Sequence, residues 1–155
     1  MTQEQMDRYK LRITQAGIGE FVVIMLEMEM QWIDEGLAFY EAHQETEFLD
    51  CMEKAQVVQQ HLMDVLNPEN EVARDVYSVF VYINRQLIYG KIKKQPLDLS
   101  RCKNMLEKYH KSFEQIAGTD TLGPIMAAGE KVYAGLTYGS SGLVESSTGG
   151  MDFTV

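Results

Sequence analysis

The run Ile18-Gly-Glu-Phe-Val-Val-Ile-Met-Leu-Glu-Met-Glu-Met-Gln-Trp-Ile-Asp-Glu-Gly-Leu-Ala-Phe-Tyr40 decides the fold. It holds no proline and no basic residue, and its apolar side chains recur at helical spacing. On a 3.6-residue period they form two stripes side by side. One reads Ile18, Phe21, Met25, Met28, Trp32, Phe39, and the other Val22, Leu26, Met30, Ile33, Leu37, Tyr40. A helix packed along one side needs an apolar face only about 100° wide. Either three surrounding helices bury both stripes, or the second is open to a partner helix. Flexible thioethers such as Met25, Met28 and Met30 suit a surface that accepts a guest.

Working outward, this first helix starts near Gly17–Gly19 and fades around His43 to Thr46. A second spans Glu47 to Leu66, with Phe48, Cys51, Met52, Ala55, Val58, Leu62 and Leu66 at helical spacing, and stops at the turn Asn67-Pro68-Glu69-Asn70. A third runs from Glu71 to Ile92, with Val72, Val76, Phe80, Ile83 and Leu87 on one face. Tyr77, Val81 and Ile88 lie beside them, so this helix is over-wide too. Pro96 breaks the pattern, Asp98 or Ser100 caps a fourth helix carrying Cys102, Leu106, Tyr109, Phe113 and Ile116, and Gly118 ends it. Long helices joined by short connections predict an all-α, antiparallel up-down four-helix bundle over residues 1–118.

From 119 to 155 the composition shifts; eight of the twelve glycines fall in the last 38 residues. Pro124 to Leu136 reads as one short helix, Thr137 to Gly150 as a flexible linker, and Met151 to Val155 as a small apolar clip. The short helix on its leash is expected to cover part of the guest surface, so that removing Gly118–Val155 would tighten guest binding.

No apolar stretch approaches a membrane span of ~20 residues, and the N-terminus reads unlike a signal peptide. Cys51 and Cys102 lack metal-type spacing and read as small buried hydrophobes in a reducing compartment, which points to the cytoplasm. The net charge is −9. Ten acidic residues and no lysine or arginine lie between Ile13 and Glu53, against nine basic residues from Arg74 to Lys111. Segments of opposite sign favour packing side by side. The basic segment carries no nucleic-acid motif, and the overall charge opposes phosphate backbones, so no nucleic-acid partner is expected.

A di-iron bundle needs two Glu-x-x-His motifs. Glu107-Lys-Tyr-His110 is one match, set beside the apolar stripe rather than on it, and reads as a solvated pair. Glu27 and Glu29 read as rim residues with water access or as partners for a base. Without a phosphate loop or nucleophile elbow, the expectation is no enzyme, no metal and no cofactor.

With the pattern laid out, the chain resembles the FliS family of flagellar export chaperones over about Tyr9 to Ile116. Lys54-Ala55-Gln-Val-Val58-Gln-Gln-His-Leu62 is similar to the family's Lys-Ala-x-x-Ile-Ile-x-Glu-Leu, with Gln59 and His61 in place of Ile and Glu. Val76, Val79, Phe80, Tyr82, Arg85 and Leu87 follow its Leu-x-x-Leu-Tyr-x-Tyr-x-x-Arg-x-Leu. The resemblance implies a cytoplasmic protein that binds the disordered C-terminal segment of flagellin, prevents premature polymerisation and serves the flagellar export machinery. Combined with the over-wide helices, it assigns the partner surface to Val22, Leu26, Met30 and Ile33 with Tyr77, Val81 and Ile88, and Tyr9 to a lid over part of it. The competing readings are another secretion chaperone or a structural bundle that dimerises through its extra apolar stripe.

Overall fold

Residues 1–127 are described by a computed structural model, and every regular element among them is helical. The first helix, α1 (Gln3–Gln15), precedes the region where the apolar pattern begins. Thr2 and Gln5 open it with a reciprocal capping box: the Thr2 hydroxyl accepts from the Gln5 amide at 3.1 Å and the Gln5 side chain accepts from the Thr2 amide at 2.8 Å. Its apolar positions Met6, Tyr9 and Ile13 make only a narrow stripe, and none of its residues is fully buried.

The chain turns at Ala16-Gly17 into α2 (Ile18–Glu41). Then come α3 (Glu45–Asp64), α4 (Glu71–Lys93) and α5 (Leu99–Ile116). Left-handed His43 and Lys94 turn the chain after α2 and α4. Asn70 starts α4 by accepting from the Ala73 amide at 2.9 Å. Gly118, at φ +82°, closes α5 in the left-handed conformation a glycine adopts without strain.

Cross-helix pairs give the packing. Gly36 of α2 sits where an added Cβ would lie 3.2 Å from the Cys51 Cβ, and the Lys54 ammonium of α3 stands 5.1 Å from the Trp32 ring centroid. Lys103 of α5 meets Asp34 of α2 at 2.8 Å, and His110 meets Glu27 at 3.1 Å. Lys91 of α4 and Lys94 just past its end pair with Glu53 and Glu45 of α3. Phe80 of α4 packs edge-on to Tyr109 of α5 at 5.6 Å, and the Tyr82 hydroxyl donates to Asp98 at 2.5 Å. In each pair the numbering rises on one helix as it falls on the other, so these neighbours run antiparallel. The core between them holds Phe21, Met25, Leu26 and Ile33 of α2, Phe48, Met52 and Leu62 of α3, Phe80, Ile83 and Leu87 of α4, and Leu106 and Phe113 of α5. The thiols of Cys51 and Cys102 are free and buried, and burial pushes them up to about 11 and about 12.

After α5 the chain returns across the end of α3. The Asn67 amide donates to the Ile125 carbonyl at 2.9 Å and the Ala127 amide to the Val65 carbonyl at 2.7 Å. Leu122, Ile125 and Met126 are buried in the same core, around a 3-10 turn at Gly123–Ile125. Burial in this core thus continues past Gly118 as far as Met126. The remainder of the expected Pro124–Leu136 helix, the linker and the apolar clip lie outside the described residues.

Glu29 departs furthest from its expected rim position: it is fully buried on α2. Its partner is Gln59 of α3, whose amide nitrogen, with the side chain oriented toward it, donates at 2.7 and 3.1 Å. Burial holds the Glu29 carboxyl well above the ordinary range, so the folded chain favours the neutral acid. A proton held more tightly in the folded than in the unfolded chain stabilises at acid pH, and that stability is lost as pH rises past the ordinary glutamate value. Glu29→Gln should therefore raise the stability at pH 7 by about 1–3 kcal/mol, the scale on which a poorly compensated buried polar group costs, with a smaller gain near pH 4. Urea titrations at the two pH values check this; an equal or reversed effect would place the Glu29 carboxylate in contact with water.

Candidate functional site

The residues expected to form one partner surface separate into three places. Val22, Leu26 and Ile33 are at most 1% exposed and belong to the core, a correction to their expected open face. The reason is the number of neighbours: α2 packs against α1, α3 and α5, so both of its stripes are used internally along most of their length, with Tyr40 exposed at the end. Met30 is half-buried, between Glu27 and Asp34 on the α2 side that meets α5. Tyr77, Val81 and Ile88 lie on α4, which pairs with α3 and α5. Met30 and the α4 residues therefore do not join into one surface.

Tyr9 lies in the groove between α1 and α2. Its hydroxyl donates to the Gln31 side-chain oxygen Oε1 at 3.1 Å, and the Arg12 guanidinium stands 5.9 Å from its ring. Burial, then the nearby Glu27 carboxylate, raises the Tyr9 phenol above its ordinary value. Arg12 also donates to Glu27 at 2.6 Å and to Glu20 at 3.0 Å. His110 of α5 reaches the other Glu27 oxygen, so one carboxylate ties α1, α2 and α5 together. Burial would raise the Glu27 carboxyl, but the bonds from Arg12 and His110 outweigh it and hold it below the ordinary range. This node was not legible beforehand, because nothing in the sequence sets Arg12 opposite a particular acid until α1 is known to fold back on α2.

By register α1 lies over Ile24 and Met28, which share its side of α2 with Glu20, Glu27 and Gln31 and are at most 2% exposed. Arg12→Ala should loosen this cover by about 1 kcal/mol, since the ion pairs it removes are partly open to water and screened. Hydrogen exchange of the α1 amides should quicken roughly fivefold. Unchanged exchange would assign the hold to Met6, Tyr9 and Ile13 instead.

The α4 side keeps an open strip. Tyr77 is 44% and Ile92 69% exposed, with Val81 and Ile88 half-buried between them at spacings that hold one face of the helix. Lys91, three residues beyond Ile88, reaches Glu53, so the strip runs along the α3 side. At its Tyr77 end it opens into a groove of about 620 Å³ lined by Met63, Leu66, Ala73 and Tyr77, with Asp64 and Arg74 at the rim. An apolar strip leading into a groove can seat one face of an amphipathic helix.

The Glu107–His110 spacing does not make a site: Glu107 faces Lys103 at 3.9 Å while His110 turns to Glu27. Among the described residues no three His, Cys, Asp or Glu side chains converge as metal ligands, and no helix is long and apolar enough to cross a membrane.

The family model described as flagellar protein FliS matches residues 1–120. The match spans all five helices, and the chain belongs to that family, one of flagellar export chaperones. No curated protein matches the chain.

Proposed function

We propose that this member of the FliS family is a cytoplasmic export chaperone, with α2–α5 as an antiparallel four-helix bundle. It holds the disordered C-terminal segment of flagellin, keeps it from polymerising early, and delivers it to the flagellar type III secretion apparatus. The observation that carries this reading is the open strip Tyr77–Val81–Ile88–Ile92 on α4, left without cover by the described residues in a chain of this family. A guest that is disordered alone loses ~2–5 kcal/mol in ordering. Each Leu- or Phe-sized anchor contributes ~1.5–3 kcal/mol when buried. Two or three anchors along the strip therefore suffice, with no chemistry beyond apolar contact and a polar rim. Release of α1 offers more area at Ile24 and Met28, which makes Tyr9 part of a lid on α2 rather than on α4.

Titration calorimetry of the full chain with a flagellin C-terminal peptide tests this. Binding with a negative heat-capacity change, the mark of apolar burial, supports it. A chain that is already a tight dimer at low micromolar concentration, with no heat from the peptide, favours a structural bundle pairing through the same strip.

A further inference from the structure

We propose that the segment Glu130–Leu136 of this chain seats in the groove between the end of α3 and the first turns of α4. The groove is apolar inside, through Met63, Leu66, Ala73 and Tyr77, and bears one charge of each sign at its rim. Arg74 donates to the Pro68 carbonyl at 3.1 Å, and Asp64 accepts from the Gln60 amide at 2.9 Å. Neither pairs with an opposite charge among the described residues.

The chain delivers the occupant to this place. Ala127 itself lines the groove, pinned by its bond to the Val65 carbonyl, and residues 128–155 follow from there. The next charged residues are Glu130 and Lys131, an acid for Arg74 and a base for Asp64. Val132, Tyr133 and Leu136 come directly after, matching the apolar interior. A segment tethered a few residues from its site acts at an effective concentration in the millimolar range. It therefore outcompetes a second copy, or a free helix of modest affinity, without needing a strong contact of its own. Ile125, near the start of the expected Pro124–Leu136 helix, is already committed to the core, so the proposed occupant starts beyond Ala127.

Methionine-methyl resonances of the full-length chain read the groove directly through Met63, whose signal is identified by its loss in Met63→Leu. The variant V132S/Y133S/L136S alters no described residue. It should shift the Met63 signal, by removing the Tyr133 ring from its side, and leave Met25 and Met28 unmoved in the core. Arg74→Glu should produce part of the same shift, and Arg74→Glu with Glu130→Arg should restore the original position. A Met63 signal identical in the parent chain and the triple variant would overturn the proposal. So would a shift that disappears on dilution, which would make a second copy the occupant. The flagellin peptide, added to the same samples, decides the chaperone reading separately: absence of heat with either chain sinks that reading, while the Met63 comparison still decides the groove.

Discussion

Leu26→Asp unfolds this chain, whereas Tyr77→Asp with Val81→Asp leaves it folded and removes its hold on the guest. Leu26 has no solvent exposure and belongs to the buried core. Replacing it loses the transfer and packing energy of a buried leucine, about 2–5 kcal/mol. It also buries a carboxylate away from water, at several kcal/mol more. Against a total stability of about 5–15 kcal/mol, the sum is enough to abolish a cooperative melt. Tyr77 is 44% exposed and Val81 half-buried on the outer side of α4, so charges there stay in water and helicity is retained. What they lose is guest contact. Two anchors at ~1.5 kcal/mol each make about 3 kcal/mol, roughly a hundredfold weaker binding to the flagellin peptide. Circular dichroism melts and calorimetry on both variants separate the cases. A folded Leu26→Asp chain that no longer binds would return the guest surface to α2.

That contrast also explains how far the sequence could be read. The helices from Ile18 onward follow from apolar periodicity, the turn Asn67–Asn70 and the Gly118 stop, and each of those signals is local. The excess width of α2 was equally visible, but its meaning depends on how many neighbours the helix has. α1 supplies the neighbour that decides it, and its stripe of Met6, Tyr9 and Ile13 is too narrow to stand out in a polar run. The Thr2–Gln5 capping box was its one clear local mark. Glu29 hid for a related reason: a carboxylate among apolar residues reads as a rim position unless its partner is known. That partner is Gln59, the residue that stands where the family pattern has isoleucine. α4 kept its excess width because only α3 and α5 flank it, and its outer strip has no third neighbour among the described residues.

A chain ending at Ala117 should lose most of its stability, and one ending at Ala127 should keep it. This reverses the expectation that cutting at Gly118 merely frees a guest surface. Leu122, Ile125 and Met126 are 4–6% exposed, and an added Cβ on Gly19 of α2 would fall 2.7 Å from the Leu122 side chain, so the segment is packed close against the bundle. Three such side chains contribute about 5–8 kcal/mol when buried. The bonds from Asn67 to Ile125 and from Ala127 to Val65 would also be lost, leaving the end of α3 without its partners. For a domain of this size that lowers the melting temperature by roughly 20 °C or more, if a cooperative transition survives at all. The cut after Ala127 removes no described residue, so its melting temperature should fall far less than that of the Ala117 chain, by no more than the seating of Glu130–Leu136 in the groove contributes. If the Ala117 chain melts like the full chain, the segment from Leu122 to Met126 rests on the bundle without supporting it, and the domain does end at Gly118. If instead both cuts destabilise, residues beyond Ala127 contribute packing of their own, and the groove beside Tyr77 is where that contribution should be sought.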